Sequence, residues 1–136
     1  LCILFPKTAV ILLGSPSEKK LSDYIIERIK NPNVISLAGE TTLIELVYLI
    51  QKSAALICND SGPMHIAALL QVPVIAFFGP TSPELTGPYS SKKKVFIPNL
   101  TCNPCFKHYC KDMKCHQMIS SDEVIKAIMH FVPFSD

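Results

Sequence analysis

The sequence predicts an α/β fold in which a parallel sheet carries helices on both faces. Three observations lead there. Apolar runs at residues 8–13, 34–37, 54–58 and 74–78 are short and largely continuous rather than alternating, as in strands covered on both sides. The segments 18–30 and 43–52 instead space their apolar residues three and four apart, the period of an amphipathic helix. Strand and helix therefore alternate, which is the order of βα units feeding a parallel sheet. At 136 residues one hydrophobic core suffices, and 49% apolar against 18% charged residues excludes a disordered chain.

Taken in order, residues 1–5 close a helix that Pro6 and Lys7 stop. They are too few for a signal peptide, lack a basic start and an initiator Met, and read as a cut end. Residues 8–13 form the first strand and 14–17 a strand-to-helix turn. Leu21, Tyr24, Ile25, Ile26 and Ile29 give a helix over 18–30 with Ser17 as its cap, ended by Asn31-Pro32-Asn33. Residues 34–37 are a short strand, and 38–42 a turn that caps a helix whose apolar face is Leu43, Leu46, Val47 and Ile50. The strand ending at Cys58, a turn, a short helix and the strand ending at Phe78 follow. Residues 79–91, rich in Gly, Pro, Ser and Thr, form a loop at the same sheet edge as that turn. Val95, Phe96 and Ile97 make a short strand, and 98–117 an irregular cysteine-bearing connection. Ser120 and Glu123 form a capping box opening a last helix with Val124, Ile125 and Ile128 on its apolar face. There is no internal repeat and no low-complexity segment.

The stretch Asn59-Asp60-Ser61-Gly62-Pro63-Met64-His65 lies between two of these strands. In a strand–turn–helix unit the turn sits at the carboxyl edge of the sheet, where free N–H groups and the positive end of the helix dipole hold phosphate. Asp60 or Ser61 can cap that helix, Gly62 lets the backbone approach a ligand, and Pro63 is pre-set for the first turn. Ser61 and Gly62 thus offer donors to a diphosphate without a metal, or simply cap and turn. His65 can donate to a phosphate oxygen or a sugar hydroxyl, or pack. Asp60 can hold sugar hydroxyls or orient the turn.

That stretch, followed by Val72-Pro73-Val74-Ile75-Ala76-Phe77-Phe78-Gly79-Pro80-Thr81, resembles the signature of the lipopolysaccharide heptosyltransferases, glycosyltransferase family 9. The run Cys102-Asn103-Pro104-Cys105-Phe106, with Cys110 and Cys115, resembles the tail of the heptosyltransferase II branch. The resemblance covers residues 8–132. It implies a GT-B enzyme of two Rossmann-like domains, with residues 1–136 a single C-terminal nucleotide-sugar-binding domain truncated at its N-terminus. The implied reaction moves heptose, with inversion, from ADP-heptose to the lipopolysaccharide inner core. The implied place is the cytoplasm, with peripheral association at the inner membrane. No cofactor is implied. The acceptor's base belongs to the N-terminal domain, so this segment alone is expected to bind donor weakly and transfer nothing. Asp60, Ser61, Gly62 and His65 become donor-binding residues. Glu18 resembles the family's ribose-binding acid, or is a first-turn carboxylate favouring the helix dipole. Thr41 and Thr42 align with the adenine-side segment, or cap a helix.

A net charge of +2 does not predict nucleic-acid binding, and Lys92-Lys93-Lys94 reads as a solvated turn or a site for an anionic acceptor. No apolar stretch approaches the roughly 20 residues of a membrane span. Cys2 and Cys58 sit in apolar runs and read as core residues. The spacing C-x2-C-x4-C-x4-C over Cys102, Cys105, Cys110 and Cys115, with His108 and His116 nearby, invites a structural zinc site. The resembling branch carries similar cysteines without being a zinc-enzyme group, and a cytosolic setting disfavours disulfides. Two rivals therefore stand beside the heptosyltransferase reading. One is another GT-B nucleotide-sugar transferase, and the other a non-catalytic module stabilised by zinc.

Overall fold

The structure, a computed structural model, describes residues 6–132, except for the side chain of His116. The helix end expected at residues 1–5, and Cys2 with it, lies outside them. The chain divides into two compact units, Leu1–Leu46 and Val47–Asp136. In each, parallel strands are joined through helices, so the parallel α/β, Rossmann-like class holds.

The first unit pairs β1 (Val10–Leu12) with β2 (Val34–Ser36) in parallel, Val10 against Val34 and Leu12 against Ser36. Between them a 3-10 turn, Pro16–Glu18, leads into α1 (Lys19–Ile29). Ser15 caps the 3-10 turn, where Pro16 supplies the fixed φ of a first helical position, and the N-cap of α1 is Glu18 rather than the expected Ser17. Glu18 reaches back and accepts from both the N–H and the hydroxyl of Ser15, at 2.7 Å each. At the far end Lys30 turns left-handed, φ 48°, and its N–H closes on Ile26 O. Buried Ser22 on α1 shares a 2.7 Å hydrogen bond with Ser36 on β2. Of the five apolar residues expected to face the core, only Ile25 and Ile26 are half-buried, while Leu21, Tyr24 and Ile29 are exposed. Two three-residue strands present too little surface to cover the whole stripe.

Helix α2 (Leu43–Lys52) spans the boundary between the units. Thr42 opens it: its hydroxyl accepts from the Glu45 N–H, and the Glu45 carboxylate accepts from the Thr42 N–H and hydroxyl, a reciprocal cap. Leu43, placed on the apolar face by spacing, is exposed, while Ile50 is fully buried.

The second unit holds the larger core. Strands β3 (Leu56–Asn59), β4 (Val74–Phe77) and β5 (Lys93–Phe96) form one parallel ladder in the order β3-β4-β5. Val74, Ile75 and Ala76 of the middle strand are fully buried, as is Phe78 just after it. Burial of a Phe or Ile side chain contributes ~2 kcal/mol or more each, so this strand anchors the unit. Helix α3 (Gly62–Leu69) lays Met64, Ala67 and Ala68 into the core, and the two small residues allow close approach to the ladder. Helix α6 (Ser121–Phe131) buries Ala127 and Ile128.

Three local expectations change here. β5 begins at Lys93, earlier than the expected strand: an edge strand tolerates lysines, and Lys94 Nζ lies 5.5 Å from the centre of the Phe96 ring. The expected loop at 79–91 contains a one-turn helix α4 (Pro83–Thr86), capped by Ser82 with Pro83 at its start. The cysteine-bearing connection includes α5 (Lys114–Gln117). At α6 Ser120 is the cap as expected, but the expected capping box with Glu123 does not form: the Ser120 hydroxyl accepts from the Asp122 N–H instead, at 3.3 Å.

Candidate functional site

The register of the second unit fixes where its loops emerge. Asn59, Phe77 and Phe96 lie side by side at the carboxyl ends of the three parallel strands, the Phe77 and Phe96 rings stacked at 5.7 Å. The turn Asp60-Ser61, the segment Phe78-Gly79-Pro80 and the chain beyond Phe96 therefore leave one edge together. This is the edge at which open parallel sheets place their ligands.

At that edge Ser61 is the cap of α3 with extended backbone, φ −160° and ψ 166°. Its hydroxyl donates back to Asn59 O at 3.1 Å, and no side-chain oxygen caps the helix. Ser61 O accepts from the Met64 N–H at 3.1 Å, and Pro63 has no N–H to satisfy. Among the described residues nothing accepts the Gly62 N–H. A Cβ built on Gly62 meets no atom within 4 Å, so the space beside its Cα is open, and the residue is exposed. His65 is exposed in the first turn of the same helix.

Asp60, half-buried, receives the Thr86 hydroxyl on Oδ2 at 2.8 Å, which ties the motif turn to α4. Its charge also acts on Cys58, two residues back on β3. Burial first, and the nearby Asp60 carboxylate second, push the Cys58 thiol up to about 12. Cys58 is thus an unreactive thiol, half-buried rather than in the core where its apolar run placed it.

Glu18, Thr41 and Thr42 belong to the first unit. There the turns after β1 and β2 meet: the Gly39 N–H donates to Gly14 O at 2.8 Å, and a Cβ on Gly39 would lie 2.8 Å from Pro16 Cα. Gly39 sits at φ +75°, so glycine is required twice over. Across the same junction Lys19 Nζ meets the Glu40 carboxylate at 2.6 Å, and this bond raises the Lys19 pKa. The two hydrogen bonds from Ser15 hold the Glu18 carboxyl below its ordinary range. Glu18 is therefore engaged locally, though exposed, and Thr42 is engaged as the α2 cap. Thr41 makes no side-chain hydrogen bond among the described residues. Sequence reasoning misses Gly39, Lys19 and Thr86, all of which tie together turns after parallel strands. The pairing of a lysine with an acid twenty-one residues on carries no local signal.

The cysteines do not converge. Cys58, Cys102, Cys105, Cys110 and Cys115 are free thiols, and Cys102 and Cys110 are exposed. Among the described residues no three His, Cys, Asp or Glu side chains are grouped to hold a metal ion. What fixes the start of this segment is backbone bonding. The N–H groups of Cys105 and Phe106 both donate to Pro80 O, at 3.0 and 2.9 Å, and seat the segment on the loop after β4.

The family model for "Glycosyltransferase family 9 (heptosyltransferase)" matches residues 6–116. The chain is 41% identical over 90 residues to lipooligosaccharide heptosyltransferase 2 of Haemophilus influenzae, covering 64% of this chain and 26% of that protein. It is 32% identical over 125 residues to the enzyme of the same name from Campylobacter jejuni serotype O:6, covering 88% and 40%. Among solved structures it is similar to E. coli ADP-heptose lps heptosyltransferase II, with a TM-score of 0.75 at 29% identity over 90% of this chain and 36% of that one. The chain thus spans between 26% and 40% of the length of these curated relatives.

Proposed function

The chain belongs to glycosyltransferase family 9, the heptosyltransferases, and on that premise we propose that it is the donor-binding part of an inverting glycosyltransferase. The whole enzyme moves heptose from ADP-heptose to the inner core of lipopolysaccharide. The observation that carries this is the start of α3. The N–H of exposed Gly62 has no acceptor among the described residues and lies at the carboxyl edge of a parallel ladder, within the stretch Asp60 to His65. A diphosphate needs such a place: dipole, donor and room for oxygen atoms. Heptose as the sugar is supported by the names of the relatives, and ADP by the name of the similar E. coli enzyme.

In this reading the acceptor hydroxyl oxygen bonds to the anomeric carbon from the face opposite the nucleotide. The anomeric C–O bond breaks, its electron pair leaves with ADP, and the hydroxyl proton passes to a base in the N-terminal domain. Charge grows on the departing diphosphate, where the Ser61-Gly62 helix start and the His65 side chain supply fixed donors. Because those donors carry the neutralisation, turnover needs no divalent metal. No helix among the described residues is long and apolar enough to cross a membrane. A lipid-borne acceptor brings the whole enzyme to the inner membrane from the cytoplasmic side as a peripheral protein.

Calorimetric titration of ADP, UDP and GDP into the full-length gene product tests the donor, with ADP expected to bind tightest. In the same protein His65→Ala is expected to lower kcat at least about tenfold, a loss of ~1.4 kcal/mol. Preference for UDP or GDP, turnover unchanged by that substitution, or activity abolished by EDTA each rejects the proposal.

A further inference from the structure

We infer that Thr86 is a positioning residue of the donor site, its hydroxyl aiming the Asp60 carboxylate at the hydroxyls of the bound sugar. This rests on the donor-site reading of the Asp60 turn given above. The Thr86 hydroxyl lies 2.8 Å from Asp60 Oδ2 and 3.2 Å from Ser82 O. It has one proton to give, and the shorter contact to a charged oxygen takes it.

The support behind Thr86 is stiff. The Thr86 N–H donates to Ser82 O at 3.0 Å, and the Gly87 N–H to Pro83 O at 2.9 Å. A Cβ on Gly87 would stand 2.2 Å from Pro83 O, so the chain passes over α4 as closely as a glycine allows. Pro88, next in line, is fully buried. The hydroxyl is therefore presented by a closed helical turn pinned at both ends.

Asp60 has no comparable support. It sits between a strand end and a helix cap, and among the described residues its carboxylate makes no other hydrogen bond. One oxygen is held, and the other remains to accept. Without Thr86 the carboxylate regains its rotamers and must be ordered when the sugar arrives. The fold depends little on the bond, which is exposed and links two surface turns. The cost of losing it therefore falls on donor recognition.

The test uses the full-length gene product with Thr86→Val, Thr86→Ser, Asp60→Ala, and Asp60→Ala combined with Thr86→Val. Thr86→Val is expected to raise the KM for ADP-heptose about fivefold while kcat changes less than twofold, and Thr86→Ser to recover most of that loss. Affinity for ADP, which has no sugar for Asp60 to hold, is expected to stay within twofold. In the Asp60→Ala background, where no acceptor is left for the hydroxyl, Thr86→Val adds nothing further. If Thr86→Val does not fold, Thr86→Ala replaces it in the same cycle. An unchanged KM, equal losses in Val and Ser, a parallel loss of ADP affinity, or additive effects in the double variant overturns the inference. Wild-type protein that binds ADP nowhere overturns the underlying donor-site reading instead.

Discussion

Gly62→Ala separates a glycine kept for a ligand from a glycine kept for the fold. Gly62 is the first residue of α3, and a Cβ there touches nothing within 4 Å. The methyl group therefore fits the folded chain without strain. Replacing a glycine by alanine at a compatible position stabilises by about 0.4–1 kcal/mol, because the unfolded chain loses freedom. In a protein of 150–250 residues that is a rise of roughly 1–4 °C in Tm, and less in a larger one. Ligand binding should move the other way. A phosphate oxygen accepting from the Gly62 N–H sits ~2.9 Å from that nitrogen, within the reach of a methyl on the adjacent Cα. The expected loss of ADP affinity is at least about tenfold, or ~1.4 kcal/mol. Calorimetry with ADP and a thermal melt of the same full-length variant measure the two effects together. Undiminished ADP affinity would refute the reasoning, and so would a Tm lowered by several degrees, since Gly62 would then be serving the fold.

Other positions answer to simpler measurements. Gly87→Ala must push a Cβ away from a carbonyl oxygen 2.2 Å distant, and should destabilise by about 1–3 kcal/mol in urea titration. Cys58, its thiol pushed up to about 12, should resist iodoacetamide at neutral pH while exposed Cys102 and Cys110 are labelled, with the order read by peptide mass spectrometry. Hydrogen bonds from Thr42 hold the Glu45 carboxyl below its ordinary 4.5. A depressed folded value means that the stability it confers is complete above pH 4.5 and fades as pH falls through the folded value. Glu45→Gln should therefore flatten the acid limb of a stability–pH curve and leave neutral-pH stability nearly unchanged.

The strands are legible in the sequence where burial is uniform. Val74-Ile75-Ala76 reads as a covered parallel strand because it is one. The amphipathic faces are less so. Spacing alone puts Leu21, Tyr24, Ile29 and Leu43 on apolar stripes, but whether a stripe is covered depends on the extent of its partner ladder, which periodicity does not encode. Spacing also misses that Ser15 opens a 3-10 turn and Glu18 opens α1, although Ser15-Pro16 is in plain view, since Pro16 reads equally well as part of a turn and as a first helical residue. α4 carries the same signal in Ser82-Pro83-Glu84 and is hidden by its short length. At the site the turn and helix start are legible because they are contiguous. The Thr86–Asp60 bond, twenty-six residues apart, follows from β3 and β4 lying side by side and is not. The cysteine spacing suggests four converging ligands, whereas backbone bonds to Pro80 decide how that segment begins.

Hydroxyl residues open α2, α3, α4 and α6 and do not behave alike. Ser120 caps α6 with its hydroxyl, accepting from the Asp122 N–H. Thr42 does the same for α2 by accepting from the Glu45 N–H. Such a cap is worth ~1 kcal/mol. Ser61 caps α3 in extended backbone, yet its hydroxyl turns away and donates to Asn59 O, leaving the helix mouth without a side-chain acceptor. Ser82 at the one-turn α4 likewise makes no side-chain cap bond, so among these helices only α2 and α6 are closed by a hydroxyl. At Ser61 that side-chain bond is absent: the Met64 N–H is met by Ser61 O, and the Gly62 N–H has no acceptor among the described residues. Ser61→Ala should accordingly cost α3 much less than Ser120→Ala costs α6. Hydrogen exchange of the two helices in the full-length protein measures this directly, and equal loss of protection would mean that Ser61 is an ordinary cap.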